Sequence, residues 1–246
     1  MTELAGKTAL VTGAGTGIGA AIAMHLARQG AELVLVARTM QRIEAVGEQI
    51  RKEGFRAQAL AGDIRSPELF EHMAKVKQPI DILVNNAAVF ATYGPLEDIA
   101  PEEIQAVLDV DLVAALRLTQ FVLPAMKSAG WGRVIHIGSV AGRLGAVGQV
   151  AYSTAKAGLE GLTRSVAAEV GRYGVTCNLV EPGLVETART LEKIDPATRA
   201  HLTAATPIGR PGTPDEIAAT VAFLASPRAS AITGVILPVD GGVGLR

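Results

Sequence analysis

Short apolar runs recur along the chain at 8–11, 32–37, 57–61, 80–84, 133–137, 175–180 and 235–239. Each has the length of a buried strand, and most are rich in β-branched residues. Between them, apolar residues fall at helical spacing over 17–29, 40–53, 66–75, 101–129, 150–172 and 214–225. Strand alternating with helix predicts βαβ units on a parallel sheet with helices on both faces. Helix starts are well marked. Ser66-Pro67 and Ala100-Pro101 place proline at a first helical position, and Thr213-Pro214-Asp215-Glu216 reads as a capping box. The stretch 183–213 is the one long segment without clear periodicity, and it predicts a lid or binding loop. No linker, repeat or low-complexity tract interrupts the chain, so residues 1–246 read as one domain.

Composition narrows the partners. Apolar residues make up 49% of the 246 and charged residues 19%, enough for a sizeable core. Aromatics are only 4%, which suits helices packed closely on a buried sheet. With 23 basic against 24 acidic residues the net charge is -1, which argues against nucleic acid or an anionic membrane as partner. Cys177 stands alone, so no internal disulfide is expected and a reducing compartment is. The start has no basic segment followed by an apolar core, and no apolar run approaches the ~18 residues of a membrane span. A soluble cytoplasmic protein is expected. The four histidines lie far from carboxylates or cysteine at ligand spacing, so no metal site is expected.

Candidate chemistry begins at Thr12-Gly13-Ala14-Gly15-Thr16-Gly17-Ile18-Gly19, between the first strand and the first helix. A dinucleotide pyrophosphate needs a tight turn, a close backbone and free N–H groups at a helix N-terminus. Gly13, Gly17 and Gly19 can supply all three, with Gly15, Thr16 and Ile18 filling out the cradle. The second strand ends Leu35-Val36-Ala37-Arg38, without the carboxylate that would hold the ribose 2′-hydroxyl of NAD. A guanidinium there favours a 2′-phosphate by about 1.5–3 kcal/mol. NADP(H) is therefore expected over NAD(H).

Tyr152 and Lys156 stand four apart at the start of a helical stretch, which puts them on one face. Tyrosine ordinarily titrates near pH ~10, and acid/base work near neutrality asks for about 4 kcal/mol of help. An ammonium about 5 Å away at an effective dielectric near ~20 supplies about 3 kcal/mol. Ser139 follows the fifth strand, where a hydroxyl can meet a substrate oxygen at the carboxyl edge of the sheet.

Taken in order, Thr12–Gly19, Asp63, Asn85-Asn86-Ala87-Ala88, Ser139, Tyr152 with Lys156, Asn178, Pro182-Gly183, Thr187 and the tail from Ile232 to Gly242 resemble the short-chain dehydrogenase/reductase family from Lys7 onward. The resemblance implies a doubly wound Rossmann fold with a mostly seven-stranded parallel sheet. It also implies an oxidoreductase that interconverts a ketone and a secondary alcohol. Tyr152 would be the general acid/base, Ser139 would orient the oxygen, and Lys156 would support the tyrosine and bind the nicotinamide ribose. Asp63 would meet the adenine, Asn86 the cofactor side of the fourth strand, and Thr187 the carboxamide. Ile64, Pro182, Gly183 and Val185 complete the implied cofactor set. A homotetramer is implied, with 101–129 and 150–172 as contact helices.

This chain departs from the family pattern at Ala88, where glycine is usual, and at Asp111, which aligns with the family's fourth catalytic residue, an asparagine. A carboxylate near Lys156 is expected to raise the lysine's pKa, screen its effect on Tyr152 and shift the pH optimum. Glu181 also stands where the family often has a small residue. His136 reads as a hydrogen-bonded strand residue and Cys177 as a small buried hydrophobe.

The sequence around Gly138-Ser139-Val140 and the tail look most like β-ketoacyl-acyl-carrier-protein reductases. The substrate is thus a small carbonyl or alcohol compound, with an acyl-carrier-linked form leading. Lys127, Arg133, Arg143 and Arg172 are candidates for a basic docking patch at the mouth. Residues 184–206 should form much of the substrate wall. A sugar, polyol or other secondary-alcohol dehydrogenase remains an alternative, as does a non-catalytic nucleotide-binding scaffold.

Overall fold

The computed structural model of the chain describes residues 2–76, 78–89 and 92–245. Seven strands form one sheet in the order β3-β2-β1-β4-β5-β6-β7. They are β1 Thr8–Thr12, β2 Glu32–Ala37, β3 Ala57–Ala61, β4 Ile82–Asn85, β5 Gly132–Ile137, β6 Val175–Pro182 and β7 Ile236–Val239. Every neighbouring pair is parallel. The chain starts in β1, moves outward to β3, and returns to β4 on the other side of β1. That reversal opens a crevice beyond the carboxyl ends of β1 and β4, where ligands of doubly wound sheets bind.

The period-2 alternation of each strand divides the core into two layers. Ala9 and Val11 of β1, with Leu33 and Leu35 of β2, pack under α1 Gly17–Arg28, α2 Met40–Lys52 and α10 Pro214–Ala225. Leu10, Val34 and Val36 point the other way, against α3 Pro67–Ala74, α5 Ala114–Ala129 and α7 Val150–Val170. Both faces are covered, which is why the strands read as continuous apolar runs. The Rossmann-type doubly wound sheet expected from the pattern is the observed one.

The capping signals hold. Thr213 accepts from the Glu216 N–H at 3.3 Å while the Glu216 carboxylate accepts from the Thr213 N–H at 2.8 Å. Ser66 caps α3, and prolines open α3, α4 Pro101–Leu108 and α10.

Two expectations need correction, and one element was not foreseen. The segment 183–213 is largely helical, with α8 Ala188–Lys193 and α9 Pro196–Ala205. Neither helix buries a residue, so neither carries the apolar stripe that betrays a helix in sequence. Local caps start them instead: Thr187 and Thr190 cap reciprocally, and Asp195 accepts from the Thr198 N–H at 3.0 Å. The stretch 101–129 is two helices, α4 and α5, joined by a π turn at Asp109–Val113. The short helix α6 Val140–Leu144 was not anticipated; with so few residues it leaves no periodic signal.

Candidate functional site

The glycine turn is shaped by what a side chain would hit. Gly13 and Gly17 have φ of +65° and +55°. A Cβ at Gly19 would lie 2.3 Å from the Gly13 carbonyl oxygen, and one at Gly13 would lie 2.8 Å from Asn86 Nδ2. Thr16 precedes α1 in an extended conformation and makes no capping bond with its side chain, and the first turn of α1 carries no acid. The leading N–H groups of a 12-residue helix thus face the crevice without a side-chain acceptor. Residues and backbone fit a dinucleotide pyrophosphate.

Thr12 ties this turn to β4, a role not foreseen from the sequence. Its hydroxyl accepts from the Asn86 and Ala87 N–H groups at 2.9 and 3.0 Å, and Asn86 Nδ2 donates to the Thr12 carbonyl at 2.9 Å. From the opposite wall, the Thr187 methyl lies within 3.4 Å of where a Gly17 Cβ would stand. The Arg189 guanidinium reaches across from α8 to the Ala88 carbonyl at 3.2 Å. Pro182 closes β6, Gly183 packs against the Asp240 backbone, and Val185 is buried in a bridge to Gly212.

At the β2 and β3 end, Arg38 is exposed just past its strand. The Asp63 carboxylate is engaged by Arg65, whose Nη2 donates at 2.6 Å. Hydrogen bonding to Arg65 holds that carboxyl below its usual range, and the Arg38 charge adds to the effect. Ile64 is buried in the layer containing Leu69.

The catalytic candidates gather at the carboxyl ends of β4, β5 and β6. Ser139 caps α6, its Oγ accepting from the Ala141 N–H at 3.2 Å. Helix α6 presses directly on α7, since a Cβ at Gly142 would lie 2.8 Å from the Lys156 carbonyl carbon. Within α7, the Lys156 ammonium lies 5.4 Å from the centre of the Tyr152 ring. It is buried, donates to the Ile137 carbonyl at 3.2 Å, and stands 3.3 Å from Asp111 Oδ2. The other Asp111 oxygen accepts from the Val89 N–H at 2.8 Å. The π turn carries Asp111 inward, and α7 packs on it so tightly that a Cβ at Gly158 would strike Leu112 at 2.8 Å. Burial pushes the Asp111 carboxyl above its usual range, with Lys156 pulling against that. The expected carboxylate–ammonium neighbourhood is present.

Beneath these groups, His136 Nδ1 meets Asn85 Nδ2 at 3.1 Å and Nε2 meets Cys177 Sγ at 3.7 Å. Burial, with the Lys156 charge, pushes His136 down to about 3, and burial pushes the Cys177 thiol up to about 12. Both are neutral core groups, as their positions suggested. The four proposed docking cations do not gather at the crevice within one chain. Arg133 is buried beside Trp131, and Arg143 is bound to Glu181. Lys127 and Arg172 flank Tyr173 at the far end of α7.

A large exposed apolar rim borders the mouth. Leu144, Val147 and Val150 lie between the Ser139 and Tyr152 segments, with Tyr93 against Gly148. A cavity of about 270 Å³ lies within segment 183–213, lined by Leu184, Glu186, Leu191 and Arg199 among others.

Residues 13–244 match the family model described as enoyl-(acyl carrier protein) reductase. The chain belongs to the short-chain dehydrogenases/reductases. It is 42% identical over 246 residues to a 3-oxoacyl-[acyl-carrier-protein] reductase, FabG, of Pseudomonas aeruginosa, covering 98% of each chain. It is 40% identical to the enzyme of that name from Escherichia coli, covering 97% of each. Among solved structures, it matches a protein of Beutenbergia cavernae provisionally named an NAD(P)-dependent gluconate 5-dehydrogenase, with NADP at low occupancy. The TM-score is 0.94 at 37% identity, covering 100% of this chain and 99% of that one. It also matches a protein of Agrobacterium tumefaciens provisionally named a 2-deoxy-D-gluconate 3-dehydrogenase, with bound NADP. There the TM-score is 0.91 at 35% identity, covering 100% and 99%. This short-chain dehydrogenase/reductase is an NAD(P)-dependent oxidoreductase acting on CH–OH groups. Among the described residues, no helix is long and apolar enough to cross a membrane.

Proposed function

We propose that the chain is an NADP(H)-dependent reductase of ketones to secondary alcohols, with a 3-oxoacyl thioester as the leading substrate. The observation that carries the chemistry is the buried Lys156 ammonium, held beside the Tyr152 ring next to the helix that Ser139 caps. The turn Gly13–Gly19, with Asn86, Pro182, Gly183, Val185 and Thr187, would hold the dinucleotide, Asp63 and Ile64 its adenine, and Arg38 its 2′-phosphate. When bound, the nicotinamide supplies or accepts the hydride. Ser139 donates a hydrogen bond to the carbonyl oxygen and fixes its direction. Tyr152 gives that oxygen its phenolic proton, and the Lys156 charge stabilises the phenolate left behind. Lys156 would also hold the nicotinamide ribose, so that one ammonium would orient the cofactor and support the acid.

The acyl thioester is favoured by the full-length likeness to 3-oxoacyl-carrier reductases and by the apolar rim of Leu144, Val147 and Tyr93. Sugar acids are the second candidate, because solved structures provisionally named as gluconate dehydrogenases match over the whole chain. We extend the proposal to one catalytic unit over residues 1–246, acting in the cytoplasm as a homotetramer. The deciding experiment is steady-state turnover with NADPH and NADH against an acetoacetyl thioester, a simple ketone and a keto-sugar acid. The highest kcat/KM is expected for the thioester with NADPH. Preference for the keto-sugar acid replaces the leading substrate, and no turnover with any pair leaves a nucleotide-binding scaffold.

A further inference from the structure

One charged cluster on the substrate side takes no part in the chemistry above. Glu181, near the end of β6, is 1% exposed, and its Oε1 accepts two bonds from Arg143, from Nε at 3.0 Å and Nη2 at 2.8 Å. Its other oxygen is buried with no hydrogen-bond partner. The same guanidinium reaches Asp240 Oδ2 at 3.4 Å and the Gly244 carbonyl at 3.4 Å. Asp240 in turn accepts from the Gly242 and Gly244 N–H groups at 2.8 and 3.0 Å. Gly244 is held so closely that a Cβ there would lie 2.1 Å from Arg143 Nη2.

A charge buried at this depth is costly unless it is paired, and two carboxylates around one guanidinium leave the cluster net negative. It is therefore a poor anion site and a rigid joint. Three functional parts meet at it. Arg143 sits in α6, the helix that Ser139 caps. Glu181 directly precedes Pro182 and Gly183, where the chain enters segment 183–213. The chain after β7 holds the far end of that segment, because the Gly241 carbonyl accepts from the Ile208 N–H at 3.2 Å.

We propose that Arg143, Glu181 and Asp240 form an ionic post that positions the Ser139 helix and both ends of segment 183–213, so that substrate binding depends on it more than cofactor binding does. This rests on the oxidoreductase reading of the Ser139 and Tyr152 site. Arg143 and its partners are positioning residues; none touches the reacting atoms.

Arg143→Met alone strands the Glu181 carboxylate and risks misfolding, so the decisive variant is Arg143→Met/Glu181→Leu. Exchanging an ion pair whose carboxylate is buried for apolar groups of similar size commonly preserves the fold, yet it cannot tie Asp240 or the Gly244 carbonyl. The double variant is expected to melt near the wild type, with KM for the ketone raised about tenfold and NADPH dissociation by fluorescence titration raised by clearly less than that. Hydrogen exchange at the amides of Gly142 and Ile208 is expected to quicken by about tenfold or more. Unchanged KM, or both amides as protected as in the wild type, overturns the post. If the wild type turns over no ketone or alcohol, the oxidoreductase reading falls, while the exchange measurement still decides whether the post exists.

Discussion

The two ends of the crevice are built from different materials. At the β1–β3 end, geometry is imposed on the backbone: glycines at 13 and 19 have no room for a Cβ, and Thr12 staples one strand end to the next. At the β5–β7 end, geometry is imposed by charges, the buried pair Asp111 with Lys156 and the buried carboxylates Glu181 and Asp240 with the partly exposed Arg143. A backbone cradle serves any dinucleotide and leaves little for substitution to tune. Ion pairs can be exchanged one residue at a time.

The largest effect should come from Tyr152→Phe. Removing a positioned general acid costs roughly 10²–10⁴ in kcat, while NADPH affinity should change far less, although Tyr152 also belongs to the cofactor-binding set that the resemblance implies. A loss of cofactor affinity of the same size would dissolve the distinction.

His136 comes next and tests how dry the substrate half is. Its folded pKa of about 3 lies below the unfolded value, so the unfolded chain binds the extra proton between about pH 6.5 and 3. Stability therefore falls as pH drops through that window, by about 3 kcal/mol at pH ~4 from this residue. Denaturant melts from pH ~7 to ~4 should show that slope, and His136→Gln should flatten it. An equal slope in the variant would place the titrating group elsewhere.

At the cofactor end, Arg38→Ala should weaken NADPH by about 10- to 100-fold and leave NADH nearly unchanged. Equal weakening of both would mean that the guanidinium does not read the 2′-phosphate.

Asp111→Asn should give the smallest change and the one most peculiar to this chain. Removing the carboxylate leaves the Lys156 ammonium unopposed beside Tyr152, so the acidic limb of the pH profile for alcohol oxidation should move to lower pH, by up to about one unit. The sign is the test. A profile that stays put, or moves to higher pH, removes Asp111 from the electrostatics of the site.

Much of this was legible in the residues themselves. Strand runs, helix caps, the glycine turn and the pairing of Tyr152 with Lys156 are local, because period, capping chemistry and i,i+4 spacing are properties of short segments. Even Asp111 announced itself as a carboxylate where an amide is usual. Other features needed the folded chain. Helices α8 and α9 bury nothing and so left no stripe to read. The π turn that turns Asp111 inward is visible only once α7 packs on Leu112. Arg143, Glu181 and Asp240 are 38 and 59 positions apart along the chain, and no local rule links them. Residues near in sequence are constrained by the backbone they share; residues near only in space are brought together by the sheet order, which places the ends of β5, β6 and β7 side by side.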